Sequence, residues 1–150
     1  MVAIRRILAP ADFDVCSSPT IRYAAELAEK FGAELILLHI VQDLALAMPD
    51  AVMPTPVPAP ALTQLIDAAK TGLENLVKAE NLGRLNPRLE VRVGSPAGEI
   101  VAVANDLKVD LVCIGTHGRG GLAHFLLGSV AEKVVRQAPC PVLTIRPPTK

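Results

Sequence analysis

The chain has no tryptophan, one tyrosine and three phenylalanines among 150 residues. Half of it is nonetheless hydrophobic, so a core must be built from aliphatic side chains. Charge of a single sign is also missing: fifteen basic residues balance fifteen acidic ones, and no basic run occurs. That balance argues against a nucleic-acid partner, which calls for a basic face. No apolar run reaches the roughly 18 residues of a transmembrane helix, so no membrane partner is expected. The opening residues 1–10 are too short in their apolar run, and too poor in small cleavage-type residues, for a signal peptide. They read as a first strand. Only three cysteines occur, Cys16, Cys113 and Cys140, and they make neither an even disulfide set nor a metal-ligand spacing. A cytoplasmic location is the default expectation. A Walker A lysine motif, a kinase glycine-rich loop and an aspartate–asparagine metal pair are all absent, which disfavours a fast phosphoryl transferase.

What the chain does have is a glycine-rich segment, GTHGRGGLAHFLLGS, at 115–129. It carries Gly115, Gly118, Gly128 and Ser129 in the spacing Gly-x2-Gly-x9-Gly-Ser. An apolar run, 110–114, precedes it, and a helical pattern, 130–138, follows. Glycines between a strand and a helix let backbone approach a ligand where a Cβ would clash. The helix start adds unpaired N–H groups and the positive end of the helix dipole. This is the chemistry of a phosphate cradle, so the chain reads as a nucleotide binder.

The remaining pattern alternates strands and helices. Residues 4–10 form a short apolar run ending in Pro10, Ala11 and Asp12. Ile21, Ala24, Ala25, Ala28 and Phe31 recur at helical spacing, with Ser17 or Ser18 as cap, Pro19 in the first turn and Gly32 as stop. A buried run falls in 34–41, and Leu62, Leu65, Ile66, Ala69, Leu73 and Leu76 mark a second helix. A third strand is expected at 89–93, a turn at Gly94, Ser95 and Pro96, and a third helix through Ile100, Val101, Ala104 and Leu107. The last strand is 142–145. Alternation of this kind, with continuous apolar strands, predicts an α/β domain: a doubly wound, Rossmann-like, five-stranded parallel sheet with helices on both faces. In such sheets ligands bind beyond the carboxyl ends of the strands, where the strand order reverses. With the order 3-2-1-4-5, the segment Pro10–Asp12 would meet Gly115, Thr116 and His117 there. A chain of this length suits one domain, 1–150. Its odd feature is a proline-rich connection at about 48–61, with Pro49, Pro54, Pro56, Pro58 and Pro60 at or near alternate positions. It reads as an extended surface connection, or alternatively as a flap over the nucleotide site.

Four blocks together resemble the universal stress protein family along essentially the whole chain. They are Pro10-Ala11-Asp12, Leu37-Leu38-His39-Ile40-Val41, the glycine segment, and Pro139-Cys140-Pro141-Val142-Leu143. The Gly-x2-Gly-x9-Gly-Ser spacing is similar to that of the family's ATP-binding branch. Ala11 departs from the threonine frequent at its position, and the connection is unusually rich in proline. Neither departure removes a residue the pattern needs.

The resemblance implies ATP as ligand, with Mg²⁺ or Mn²⁺ held mainly through the phosphates. It also implies a homodimer joined through the C-terminal strand, and leaves room for a further protein partner. Asp12 would accept hydrogen bonds from ribose hydroxyls, against the alternative of a helix cap or turn residue. The backbone at Ile40 and Val41 would meet adenine, with Val41 on the ring or simply in the core. Gly115, Gly118 and Gly128 would admit phosphate, or serve only as turn glycines. Ser129 would be helix cap and phosphate donor together, beside Val130. Thr116 and His117 complete the segment, and His117 has no carboxylate partner that would make it a base. Arg119 either pairs with phosphate or is solvated. His39 and His124 read as structural or surface residues, and Cys113 as a small core residue. No catalytic residue is assigned. The expected function is an ATP-binding stress-response protein with at most slow hydrolysis. Its alternatives are a dimeric interaction module that does not bind nucleotide, and a true slow ATPase.

Overall fold

A computed structural model describes residues 1–13, 18–42, 58–116 and 127–147. Along them run β1 (Arg6–Pro10), α1 (Ser18–Phe31), β2 (Glu34–Gln42), α2 (Ala59–Ala79), β3 (Arg88–Gly94), α3 (Pro96–Asp106), β4 (Leu111–Gly115), α4 (Ser129–Gln137) and β5 (Val142–Ile145). The five strands form one parallel sheet in the order β3-β2-β1-β4-β5, as the alternation predicts.

The strand residues divide by the two-residue period of a pleated strand. Ile7, Ala9, Leu35, Leu37 and Cys113 point into one core with Ile21, Ala24, Ala25 and Ala28 of α1 and Leu73 of α2. Leu8, Ile36, Leu38, Val112 and Ile114 point into the other, with Ile100 and Val103 of α3 and Ala131 and Val134 of α4. Continuous apolar runs in the central strands thus follow from helices lying on both faces. Cys113 is wholly buried, and burial pushes its thiol up to about 12. It behaves as the small core residue expected. Cys140 is half-buried, and burial, with the Asp110 carboxylate second, also raises its thiol.

Helix ends follow local chemistry. α1 stops at Gly32 (φ +62°), and the Ala33 N–H reaches back to the Ala28 carbonyl at 2.8 Å, a left-handed stop that suits glycine. α2 corrects the expected connection. The helix already includes residues 59–61, with Pro58 as its N-cap and a proline in its first two positions. The first turn needs no donated hydrogen bond, so proline is accommodated there. The rest of the connection, 48–57, lies outside the described residues. Ser18 is also reassigned. It is the first residue of α1, and its hydroxyl donates to Glu80 Oε1 at 2.9 Å rather than capping its own helix. Ser17 lies outside the described residues.

Glu80 joins α1 to the end of α2. Besides Ser18 it accepts from Arg22 Nε at 2.6 Å. The Arg22 hydrogen bond, helped by Ser18 and opposed by burial, holds the Glu80 carboxyl below its ordinary range. A carboxyl lowered in the native state stabilises above its unfolded value and loses that contribution as pH falls through the native one. Glu80→Gln should therefore lower the melting temperature by about 2–4 °C near neutrality, the displacement expected for one net hydrogen bond in a chain of this size. Wild type and variant should begin to converge as pH falls below the ordinary glutamate value of roughly 4–5, and meet below the lowered native value. Melting curves across pH check this, and a gap that persists in acid would exclude the ionised pair as its cause.

Candidate functional site

The sheet parts where the strand order reverses. β1 stays with β2 to its end, through the pair Pro10–Leu38 and an Ala11 N–H donated to the Leu38 carbonyl at 2.8 Å. β4 stays with β5, through Gly115–Ile145 and a Thr116 N–H donated to the Ile145 carbonyl at 3.0 Å. Between β1 and β4 the pairing ends earlier, at Leu8–Val112. Pro10, Ala11 and Asp12 therefore leave with one half of the sheet and Gly115 and Thr116 with the other. The resulting crevice is the place where doubly wound sheets bind ligands.

The glycine segment begins and ends at this crevice. The Gly128 N–H donates to the Thr116 carbonyl at 2.8 Å, which ties the start of α4 to the end of β4. Thr116 is buried there. Gly128 is also the N-cap of α4: it is extended (φ −55°, ψ 154°), and its carbonyl accepts the first helical bond from the Glu132 N–H at 2.9 Å. This corrects the expected cap. Ser129 is the first helical residue, so its hydroxyl is not committed to capping. The N–H groups of Ser129, Val130 and Ala131 precede the first intrahelical donor and have no acceptor within the helix. With the positive end of the helix dipole, they form a donor set suited to phosphate. Val130 packs its side chain on the second core, which anchors the turn.

A groove of about 300 Å³ opens beside this helix start. Ser129, Val130, Lys133 and Gln137 line one wall, and residues 95–98 at the start of α3 line the other. The Gly94–Pro96 turn that brings α3 here requires glycine. Gly94 has φ +152°, and a Cβ on it would lie 2.8 Å from Glu99 Oε1. The α3 wall and Lys133 were not anticipated from sequence. A lysine four residues after the Gly-Ser pair, one turn along the same helix face, was the available signal. Pro10, Ala11, Asp12, Ile40 and Val41 do not line this groove.

On the opposite side of the crevice the end of β1 is held from β2. His39 Nδ1 lies 2.7 Å from the Ala11 carbonyl oxygen. A carbonyl only accepts, so Nδ1 carries the hydrogen. The imidazole also stacks on the Phe13 ring, with centroids 4.2 Å apart and planes 23° from parallel. Asp12 lies between the two residues so engaged. Ile40 and Val41 fall on opposite faces: Ile40 packs on the second core, while Val41 is nearly buried beside Val93, its partner on β3. The expected residues thus gather at the carboxyl edge in two groups, Pro10–Asp12 with Ile40 and Val41, and Gly115 and Thr116 with Gly128, Ser129 and Val130. His117, Gly118, Arg119, His124 and Cys16 lie outside the described residues. Among the described helices, none is long and apolar enough to cross a membrane.

Comparison with known proteins gives one consistent result. The model of the Universal stress protein family matches residues 3–146. Universal stress protein MJ0531 of Methanocaldococcus jannaschii is 32% identical over 149 residues, covering 97% of this chain and 84% of that protein. The solved structure of MJ0577, from the same organism, superposes with a TM-score of 0.81 at 28% identity, covering 99% of this chain and all of that one. A universal stress protein crystallised in complex with cAMP superposes at 0.61 with 25% identity, covering 95% of this chain and 97% of that one. With the fold, the strand order and the matched length in agreement, this chain belongs to the universal stress protein family.

Proposed function

We propose that this chain is an ATP-binding stress-response protein in which the nucleotide regulates shape or partner binding, with at most slow hydrolysis. The observation that carries the reading is the parting of β1 and β4, with the start of α4 tied to its rim by the Gly128–Thr116 bond. Asp12 accepts from the ribose hydroxyls, because an ionised carboxylate is acceptor-only. The backbone at Ile40 and the Val41 side chain meet adenine. Gly115, Gly118 and Gly128 admit the phosphates, and the Ser129 hydroxyl with the first N–H groups of α4 donates to them. Lys133 adds a cation at the groove. Mg²⁺ or Mn²⁺ enters with the phosphates and neutralises their charge. Cytoplasmic residence belongs to the same proposal, since ATP is an intracellular ligand. So does a homodimer through β5.

One neighbour supports a second reading. Its ligand, cAMP, has the same adenine, but the ribose 3′ oxygen is closed into the phosphodiester. A carboxylate at Asp12 would then receive one hydroxyl donor instead of two. Mass spectrometry of small molecules released from protein purified out of cells separates the readings. ATP or ADP is expected, whereas cAMP would support the second. A nucleotide-free protein that also fails to bind ATP in titration would leave the dimeric interaction module. Single-turnover hydrolysis that vanishes in Asp12→Ala would make the chain a slow ATPase.

A further inference from the structure

We infer that His39 and Phe13, seated on Gly72 of α2, form a clasp that sets the direction of the Asp12 carboxylate and hence the preference for a ribose bearing free hydroxyls. The inference rests on the reading of Asp12 as the ribose-binding residue. Two features of this chain break local rules, and they meet at one point. Phe13 has φ +64°, a left-handed conformation that bulky residues rarely adopt. Gly72 lies inside α2, where alanine is the better helix former. A Cβ on Gly72 would lie 2.8 Å from Phe13 Cζ, 3.0 Å from Cε2 and 3.1 Å from Cε1. The glycine therefore admits the ring, and the left-handed turn delivers it. Strained residues held by their surroundings concentrate at functional sites.

The consequence falls on Asp12. Both polar groups of the preceding Ala11 peptide positions are fixed to β2: its N–H to the Leu38 carbonyl, and its carbonyl oxygen to His39 Nδ1. The following residue, Phe13, stacks its ring on the imidazole and lies over Gly72 where a Cβ would stand, and the residue is otherwise exposed. Asp12 thus sits between two residues engaged with β2, and a rotation of its backbone would disturb the His39 bond or the ring stack. His39 and Phe13 are positioning residues, acting on the ligand through Asp12. The same geometry links α2 to the site, so a displacement of α2 would be felt at the ribose.

The test is calorimetric titration of ATP and 2′,3′-dideoxy-ATP into wild type, His39→Ala, His39→Asn and Gly72→Ala. Wild type should prefer ATP by at least about tenfold, the worth of a charge-assisted hydrogen bond. His39→Ala should lose most of that preference while keeping its affinity for the dideoxy analogue. His39→Asn, whose amide can still donate to the Ala11 carbonyl, should restore it. Gly72→Ala should lose it too, although alanine favours the helix, because the new methyl displaces the Phe13 ring. This variant keeps the test open if His39→Ala does not fold. A purely structural role would weaken both ligands equally and leave the ratio unchanged. Wild-type preference that survives in both His39→Ala and Gly72→Ala overturns the clasp alone. A wild type that does not distinguish the two ligands, or binds neither, overturns the ribose reading of Asp12 and the clasp with it.

Discussion

Millimolar ATP with Mg²⁺ should raise the melting temperature of this protein by about 5–11 °C at a dissociation constant of about 10 µM. A ligand that binds only the native state stabilises it by RT ln(1 + [L]/Kd), about 2.7 kcal/mol at a hundredfold excess. Each kcal/mol moves a domain of this size by roughly 2–4 °C. On the proposed function, inorganic triphosphate alone should give a smaller shift, because it would leave the proposed adenine contacts at Val41 and ribose contacts at Asp12 unmade. Asp12→Ala should reduce the ATP shift through the loss of charged hydrogen bonds worth about 1.5–3 kcal/mol. Since each shift is measured within one variant, whatever Asp12 contributes to the ligand-free protein cancels. On the same proposal, Gly118→Val should remove the shift with the fold intact, because a branched side chain would fill the space proposed for the phosphates. Scanning calorimetry on nucleotide-free protein measures all four. A wild type that does not respond would favour the interaction module over the nucleotide reading.

The second large effect is on assembly. Light scattering at micromolar concentration should give the wild type twice the 15.8 kDa mass of the chain, and Thr144→Pro should give the chain mass. β5 is the last strand of the sheet. The carbonyls of Pro141 and Ile145 accept from Val112 and Thr116, so these residues face β4. Backbone groups alternate along a strand, which turns those of Val142 and Thr144 to the open edge. An apolar edge of this kind invites pairing with another chain. Proline at 144 removes an outward donor and leaves the bonds to β4 in place. Leu143→Asp should also dissociate the dimer but is the less specific variant. Leu143 packs on the α1 core, and it shares a cavity of about 220 Å³ with Tyr23 and Arg146. A charge there would weaken the fold as well as the edge. A wild type that scatters as a single chain would exclude the β5 dimer.

The amino-acid sequence alone determined the architecture. Residues 35–38 read as a buried strand because apolar side chains follow one another without the alternation of a one-sided sheet, and the structure buries all four. Ile21, Ala24, Ala25 and Ala28 mark the inward side of α1 by their spacing and are buried, whereas Phe31, which continues the same spacing, is exposed at the last turn. Such patterns are local, so they survive without knowledge of the partner. The glycine spacing likewise placed the start of α4 within one residue. The expected cap, Ser129, lies one residue too late, since Gly128 and Ser129 are both good N-caps and the Gly128–Thr116 bond decides between them. The proline at 60 read as connection because proline is legible as a breaker, while its acceptance in a first turn depends on where the helix begins.

Tertiary structure alone decided what lies around the site. The early end of the β1–β4 pairing, the groove between the starts of α3 and α4, and the Phe13–His39–Gly72 contact join residues far apart in the chain. The strand order already set the ends of β1 and β4 beside one another, but where their pairing stops and which side chains meet across elements leave no mark on local patterns. Gly72 is the clearest case: within an otherwise regular helical pattern it looks like a weak point, and only the ring seated against it explains why no side chain is there. The pleat sends the side chains of Ile40 and Val41, adjacent in sequence, to opposite faces. Periodicity and turn chemistry act over a few residues and fixed the elements. Directional contacts between elements, which set the shape of the site, exist only once the sheet has formed.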